Sequence, residues 1–233
     1  MRHGYRPDAL MLFAAGFGSR MRPLTENCPK PLIQVAGRTL LDHALDLAKG
    51  MDLSRMVGNA HHLAGQMAQA LREKAISVSL EAPDILDTGG GLKAALPLLD
   101  RDPVFALNTD AVWTGRDQMS RLAEAWDPER MGALLYLVRP EDARGHLGAG
   151  DFEIGPDGRL RRAPGYIYAG LQIVSADPVR RISDRAFSLN RVWDRLIAEG
   201  RLFGILHEGL WCDVGRPECI PIAEAMLAET ADA

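Results

Sequence analysis

Cysteine is scarce and unpatterned in this chain. There are three, Cys28, Cys212 and Cys219, an odd number with no C-x-x-C spacing. That excludes a disulfide framework and a cysteine-based zinc site, and it suits a reducing compartment, so the cytoplasm is the expected location. No run of 18 apolar residues occurs, and no membrane-spanning helix is expected. The N-terminal stretch Met1–Gly16 breaks its short apolar run with charged and glycine residues. It therefore lacks the apolar core and cleavage site of a secretory leader. A basic excess is missing too: 27 Lys and Arg stand against 31 Asp and Glu, a net charge of −4. Neither nucleic acid nor a membrane surface is expected as a general partner.

What is present is a globular composition. Hydrophobic residues make up 47% and charged residues 25%, with 23 Gly and 14 Pro, which sets aside disordered and fibrous classes. At roughly 150 residues per domain, 233 residues allow one large domain or two small ones. Short apolar runs alternate with amphipathic stretches over the first 140 residues. Ala9–Ala14, Arg55–Val57, Ile76–Leu80, Val104–Leu107 and Gly132–Val138 read as strands. Thr39–Lys49, His62–Glu73, Gly90–Leu98 and Asp117–Trp126 read as helices, Thr88 serving as the cap of the third. Connections too long for hairpins indicate βαβ units.

The rhythm changes after Pro140. The turn Gly155-Pro156-Asp157-Gly158 between Asp151–Ile154 and Arg159–Arg161 predicts a β-hairpin. Tyr166–Val174, Arg201–Ile205 and Leu210–Val214 are further strands. Asn190 is expected to cap a helix to about Glu199, and 216–229 forms a closing helix. No internal repeat or long linker interrupts the chain. The expected fold is one Rossmann-like layered α/β/α domain over 1–233, with a mixed, mainly parallel sheet and the hairpin over the mouth of the site.

The most informative segment is Ala14-Ala15-Gly16-Phe17-Gly18-Ser19-Arg20-Met21-Arg22-Pro23-Leu24-Thr25, followed by Pro29-Lys30-Pro31-Leu32. A glycine-rich turn after a first parallel strand lets backbone N–H groups approach phosphate oxygens. It is not the dinucleotide fingerprint, because Met21 stands where G-x-G-x-x-G needs glycine. It is not a Walker loop either, because no Gly-Lys pair follows. Pro29 and Pro31 restrict the backbone around Lys30. A pre-aimed ammonium with the Arg20 guanidinium on one loop suits a polyphosphate. A second cluster, Leu86-Asp87-Thr88-Gly89-Gly90-Gly91, places three glycines at a helix start, each costing about 1 kcal/mol against alanine. Either a flat nucleobase or close helix–sheet packing would explain them. Asp110 ends an apolar strand, beyond whose carboxyl end ligands bind in open α/β sheets. The His61-His62 pair lacks metal-ligand spacing and reads as surface or packing.

The first run resembles the signature G-x-G-x-R-[LM]-x-P-L-T with a downstream P-K-P-L of sugar-1-phosphate nucleotidylyltransferases. The similarity extends over roughly residues 8 to 228. Bacterial uridylyltransferases acting on N-acetylmuramate 1-phosphate are the nearest subgroup. Mannose-1-phosphate guanylyltransferases and glucose-1-phosphate thymidylyl- or uridylyltransferases come next. The resemblance implies transfer of a nucleoside monophosphate from a nucleoside triphosphate to a sugar 1-phosphate, with pyrophosphate released and Mg²⁺ as cofactor. It implies a nucleotide part over about 8–140 and a sugar part over about 141–215. By motif match, Ala15, Gly16, Gly18, Ser19, Arg20 and Lys30 would meet the triphosphate. Asn59, Glu81, Thr88 and Gly89 would form the rest of the nucleotide pocket. Asp110 and Asp213, the latter in a W-x-D-V-G match, would hold the metal, and Asn108, Asp151 and Gly170 would meet the sugar phosphate. The family's N-G-D reads Asn108-Thr109-Asp110 here, a departure that bears on the sugar pocket. Two rivals are a non-catalytic nucleotide-sugar-binding module and a cytidylyltransferase of related fold. The former would show by loss of Arg20, Lys30 or an aspartate, and all four residues are present. With no room for a second long domain, a stand-alone core is expected; the oligomeric state is not readable.

Overall fold

Successive side chains of the first strand go to opposite cores. Leu10, Leu12 and Ala14 join one buried cluster, Ala9 and Met11 another, as the two-residue period of a doubly covered strand requires. The computed structural model describes residues 6–231, so the first five and last two positions of the span read as one domain lie outside the described residues. Seven strands form the main sheet: β1 Ala9–Phe13, β2 Arg55–Ala60, β3 Ser77–Leu80, β4 Val104–Asn108, β5 Ala133–Val138, β6 Ile167–Val174 and β7 Leu202–Leu206. Their order is β7-β5-β6-β4-β1-β2-β3. Neighbours run parallel except β6, which is antiparallel to both β4 and β5. The sheet is mixed and mainly parallel, as the sequence pattern predicts.

Helices α1 Leu40–Asp46, α2 Ala64–Glu73 and α4 Gln118–Ala125 bury Leu41, Leu71 and Leu122 on one face. Helices α3 Asp87–Leu99, α5 Ala176–Arg180 and α6 Asn190–Ala198 bury Leu92, Val179 and Leu196 on the other. A third cluster under α7 Cys219–Ala231 joins Met21, Val35, Val112, Cys212 and Val214. It ties the glycine loop to a small sheet in which Ala111–Trp113 pairs antiparallel with Trp211–Asp213. Among the described residues no helix is long and apolar enough to cross a membrane.

Several boundaries move. The second strand runs on to Ala60, so Asn59 lies on β2 and not in a loop. The third helix starts at Asp87, so Thr88 is inside it; its hydroxyl accepts from the Leu189 N–H at 3.0 Å. Asn190 is the first residue of α6 and not its cap; its side chain bonds Ser188 and Arg162. The closing helix begins at Cys219, three residues late, because Arg216-Pro217 forms the turn before it. The hairpin is present as Phe152–Ile154 against Leu160–Arg162. Its far strand packs along β7, where Leu160 faces Gly204, and its near end brings Asp151 to the rim of a pocket. Four short pieces carried no readable period: Gln34–Val35 with Arg38–Thr39, Ala111–Trp113, Ala143–Arg144 and α5.

Candidate active site

The carboxyl ends of β1, β2, β3 and β4 open on a cavity of about 230 Å³. Ala14, Ala15, Gly16, Lys30, Asn59, Glu81, Asp87, Thr88, Asn108 and Asp110 are among its walls, so motifs from four strand ends meet in one place. The glycine loop gets its shape from Gly18, whose φ of +59° is left-handed. A Cβ there would lie 2.8 Å from the Thr25 methyl and 3.1 Å from Lys30 Cβ. Thr25 donates its hydroxyl proton to the Gly18 carbonyl at 2.8 Å. His62 bonds the Thr25 carbonyl at 2.9 Å, and the exposed Phe17 ring lies edge-on to His61 at 5.3 Å. The two histidines thus hold the loop, the packing role read from sequence.

Charge concentrates at one end of the cavity. Lys30, at the start of a 3₁₀ turn between its two prolines, donates from Nζ to Asp110 Oδ2 at 2.8 Å. Asp110 is itself tied to the small sheet, its carbonyl accepting from the Val214 N–H at 3.0 Å. Asp213 stands on the paired strand. Burial pushes its carboxyl above the ordinary range and the Asp110 charge adds to this, while Lys30, Arg20 and His146 pull it back. Gly215 leaves space there: a Cβ would sit 3.1 Å from both Asp213 oxygens and 3.4 Å from an Arg20 Nη. Arg20, Lys30, Asp110 and Asp213, from four separate segments, therefore share one locus. A partly buried carboxylate beside a second one is a donor set that could take a hard cation completing its shell with phosphate oxygens and water. Among the described residues no group of three or more His, Cys, Asp or Glu side chains converges as a closed protein cage.

The far end of the cavity is a buried polar pair. Asn59 and Glu81 are 3% and 2% exposed. The Asn59 Oδ1 accepts from the Ala14 N–H at 2.6 Å, its Nδ2 donates to Glu81 Oε1 at 2.7 Å, and Glu81 Oε2 accepts from the Leu86 N–H at 2.7 Å. A second pocket of about 260 Å³ adjoins the first through Asp87, Thr88 and Asn108. Its other walls include Asp151, Tyr168, Ser188, Asn190 and Trp193. Tyr168 lies edge-on to Trp193 at 4.8 Å, and Gln172 bridges them, donating to the Tyr168 hydroxyl and accepting from the indole N–H, both at 3.0 Å. Burial holds the Tyr168 hydroxyl protonated, with the Asp110 charge acting the same way.

Three expectations need correction. Gly89 does not face the cavity: a Cβ there would collide with the Phe187 ring, and its N–H goes to the Phe187 carbonyl at 2.8 Å. Gly90 abuts the Arg185 carbonyl and Gly91 the Asn59–Glu81 pair, so close packing, not a nucleobase, accounts for the glycine run. Gly170, with φ of +94°, sits behind Asn108, whose Cβ would be 3.0 Å from a Cβ there. It makes room for Asn108 at a bulge in β6 and does not itself line the pocket. Gly18 and Ser19 form the loop's outer turn, and neither lines the cavity. The Thr109 hydroxyl donates to the Phe13 carbonyl at 2.7 Å, so this departure stitches β4 to β1. Asp87 and the 188–193 segment also line the pockets; the segment is brought there by long-range bonds from Leu189 to Thr88 and Trp193 to Gln172, which no local pattern announces.

Comparison with known proteins gives a consistent picture. The model of the MobA-like NTP transferase domain matches residues 10–204. The chain is 39% identical to N-acetylmuramate alpha-1-phosphate uridylyltransferase of Caulobacter vibrioides, covering 96% of this chain and 98% of that protein. It is 34% identical to the protein of the same name from Neisseria meningitidis serogroup B, covering 88% and 92%. Among solved structures, the inositol-1-phosphate CTP transferase from T. maritima superposes with a TM-score of 0.75 at 15% identity, covering 95% of this chain and 96% of that one. That last likeness concerns the fold.

Proposed function

The chain belongs to the MobA-like NTP transferase family, and from that premise we propose that it is a Mg²⁺-dependent uridylyltransferase joining UTP to N-acetylmuramate α-1-phosphate. The products are the UDP-sugar and pyrophosphate. The observation that carries the reaction class is the meeting of Arg20, Lys30, Asp110 and Asp213 in one locus, of which Lys30 and Asp110 line a cavity together with Ala14, Ala15 and Gly16. The substrate pair rests on the likeness to the two uridylyltransferases over nearly the whole chain.

The chemistry asks for alignment and charge neutralisation, not for a base. An oxygen of the sugar phosphate attacks the α-phosphorus of UTP, the α–β phosphoanhydride bond breaks, and pyrophosphate leaves. In this reading Lys30 binds the α-phosphate or the sugar phosphate, and Arg20 stabilises the departing charge. The glycine-loop backbone at Ala15 and Gly16, which line the cavity, would meet the triphosphate. Asp110 and Asp213 would hold Mg²⁺, which when bound shields the phosphate oxygens against one another. In this reading residues 8–140 form the nucleotide half, and the second pocket, with Asn108 and Asp151, takes the sugar. The setting is the cytoplasm, in recycling of cell-wall sugars.

Incubating the protein with each of four NTPs and a panel of sugar 1-phosphates, with Mg²⁺ and with chelator, tests this directly. Mg²⁺-dependent pyrophosphate release with UTP and N-acetylmuramate 1-phosphate is expected. Preference for GTP with mannose 1-phosphate, or release that survives chelation, would overturn the substrate or metal assignment respectively.

A further inference from the structure

We propose that Asn59 and Glu81 are a positioning pair that fixes the distance between the glycine loop and the loop leading into α3, and that nucleotide affinity depends on that spacing. The inference rests on the reading of the larger cavity as the nucleotide site.

Three hydrogen bonds carry it. They form one uninterrupted chain from the Ala14 N–H through the Asn59 amide and the Glu81 carboxylate to the Leu86 N–H, at 2.6, 2.7 and 2.7 Å. Ala14 is the root of the glycine loop. Leu86 precedes Asp87 and Thr88, which line both pockets. The chain crosses the carboxyl ends of three adjacent strands, β1, β2 and β3, and Glu81 is fastened at its own N–H to the Ala60 carbonyl at 2.9 Å. Neither side chain is free to move, since both are almost fully buried. Helix α3 keeps room for them: a Cβ on Gly91 would stand 2.6 Å from Glu81 Oε1 and 2.8 Å from Asn59 Nδ2. Among the described residues no cation pairs with the Glu81 carboxylate, and a buried carboxylate without one is costly. Here each oxygen accepts a buried N–H, so the group serves as a two-ended clasp between loops.

The donor–acceptor logic supplies its own test. In Glu81→Gln the single remaining oxygen serves Asn59 or Leu86 but not both, and an amide N–H confronts the other donor. In Asn59→Asp two carboxylates face each other. In the double variant Asn59→Asp/Glu81→Gln every bond can be remade: the introduced carboxylate accepts from Ala14 and from the glutamine amide, and the glutamine oxygen accepts from Leu86.

The experiment compares the wild type with these three proteins by pyrophosphate-release kinetics and by amide exchange at Ala14 and Leu86. Each single variant should raise the UTP KM about tenfold or more, as one unpaired buried group implies, with a smaller change in kcat. The double variant should recover most of that loss. In Glu81→Gln exchange should accelerate at Ala14 as well as at Leu86, a coupling read without turnover. Faster exchange confined to Leu86, a double variant no better than either single, or a fall in kcat with UTP KM unchanged would each overturn the clasp. Absence of wild-type activity with every NTP would instead strike the nucleotide reading, while the exchange arm still decides the coupling.

Discussion

Lys30 and Asp110 lie eighty positions apart in sequence and 2.8 Å apart in space. The lysine side chain is 12% exposed and the aspartate 36%, so the pair is half inside the protein at the edge of the cavity. Removing the cation breaks the bond to Asp110 and leaves Arg20 and His146 as the remaining positive partners of the two acids. Lys30→Met is therefore expected to cost about 2 kcal/mol of stability, the scale of a lost charged hydrogen bond. It should also cut turnover. Chemical denaturation and pyrophosphate release measure the two effects separately.

Asp213 gives the opposite sign in stability. Its folded carboxyl binds protons more readily than the unfolded one, so its charge costs stability as pH rises through that raised value. Asp213→Asn removes this cost, and the variant should melt at or above the wild-type temperature at neutral pH. Its turnover should fall about a hundredfold or more, the scale of losing one transition-state contact. Near-normal Mg²⁺-dependent release from this variant and from Asp110→Ala would refute the metal assignment.

His207 is buried against Trp113 and Tyr136, with neither ring nitrogen hydrogen-bonded among the described residues. Burial lowers its proton affinity below the ordinary 6.5. The unfolded chain then binds the extra proton more readily, so stability is full above 6.5 and declines as pH falls below it. His207→Phe should flatten that decline. Melting temperatures from neutral pH down to about pH 5, spanning the ordinary histidine range, give the comparison.

The glycine run separates packing from binding. Gly89→Ala drives a methyl into the Phe187 ring, and overpacking of this kind costs about 1–3 kcal/mol. A drop in melting temperature with the UTP KM of the folded fraction held is the expected result. A large rise in UTP KM at unchanged stability would return Gly89 to the nucleotide.

Asn190 and Ser188 face the second pocket from the start of α6. Asn190→Ala should raise the KM for the sugar phosphate about tenfold, the worth of roughly one polar contact. The UTP KM should stay within a few-fold. Equal effects on both substrates would mean that the two pockets are not separate subsites.

The strand periods and the glycine loop were legible because each is written in consecutive residues. Ala9–Phe13 is apolar throughout because both faces are covered, and Gly18 is glycine because its left-handed backbone presses on Thr25 and Lys30. Gly89 and Gly170 misled for one physical reason. A glycine records that something comes close, and the sequence cannot say whether that neighbour is a ligand, Phe187 or Asn108. The 188–193 wall was invisible because its place depends on long-range bonds, from Leu189 to Thr88, Trp193 to Gln172 and Arg162 to Asn190. Short elements such as Ala111–Trp113 take their form from partners distant in sequence, not from a period of their own.

The reversed direction of β6 has a consequence for how such a protein can diversify. Parallel strands deliver to the pocket edge whatever follows them, whereas β6 delivers what precedes it, so the chain from Pro140 to Tyr166 arrives at the second pocket before the strand begins. Insertions or rewriting in that stretch would alter the second pocket while the β1–β4 half keeps its register. Under the proposed function, the half that handles the nucleotide would thereby be inherited intact while the other turns to different sugar phosphates.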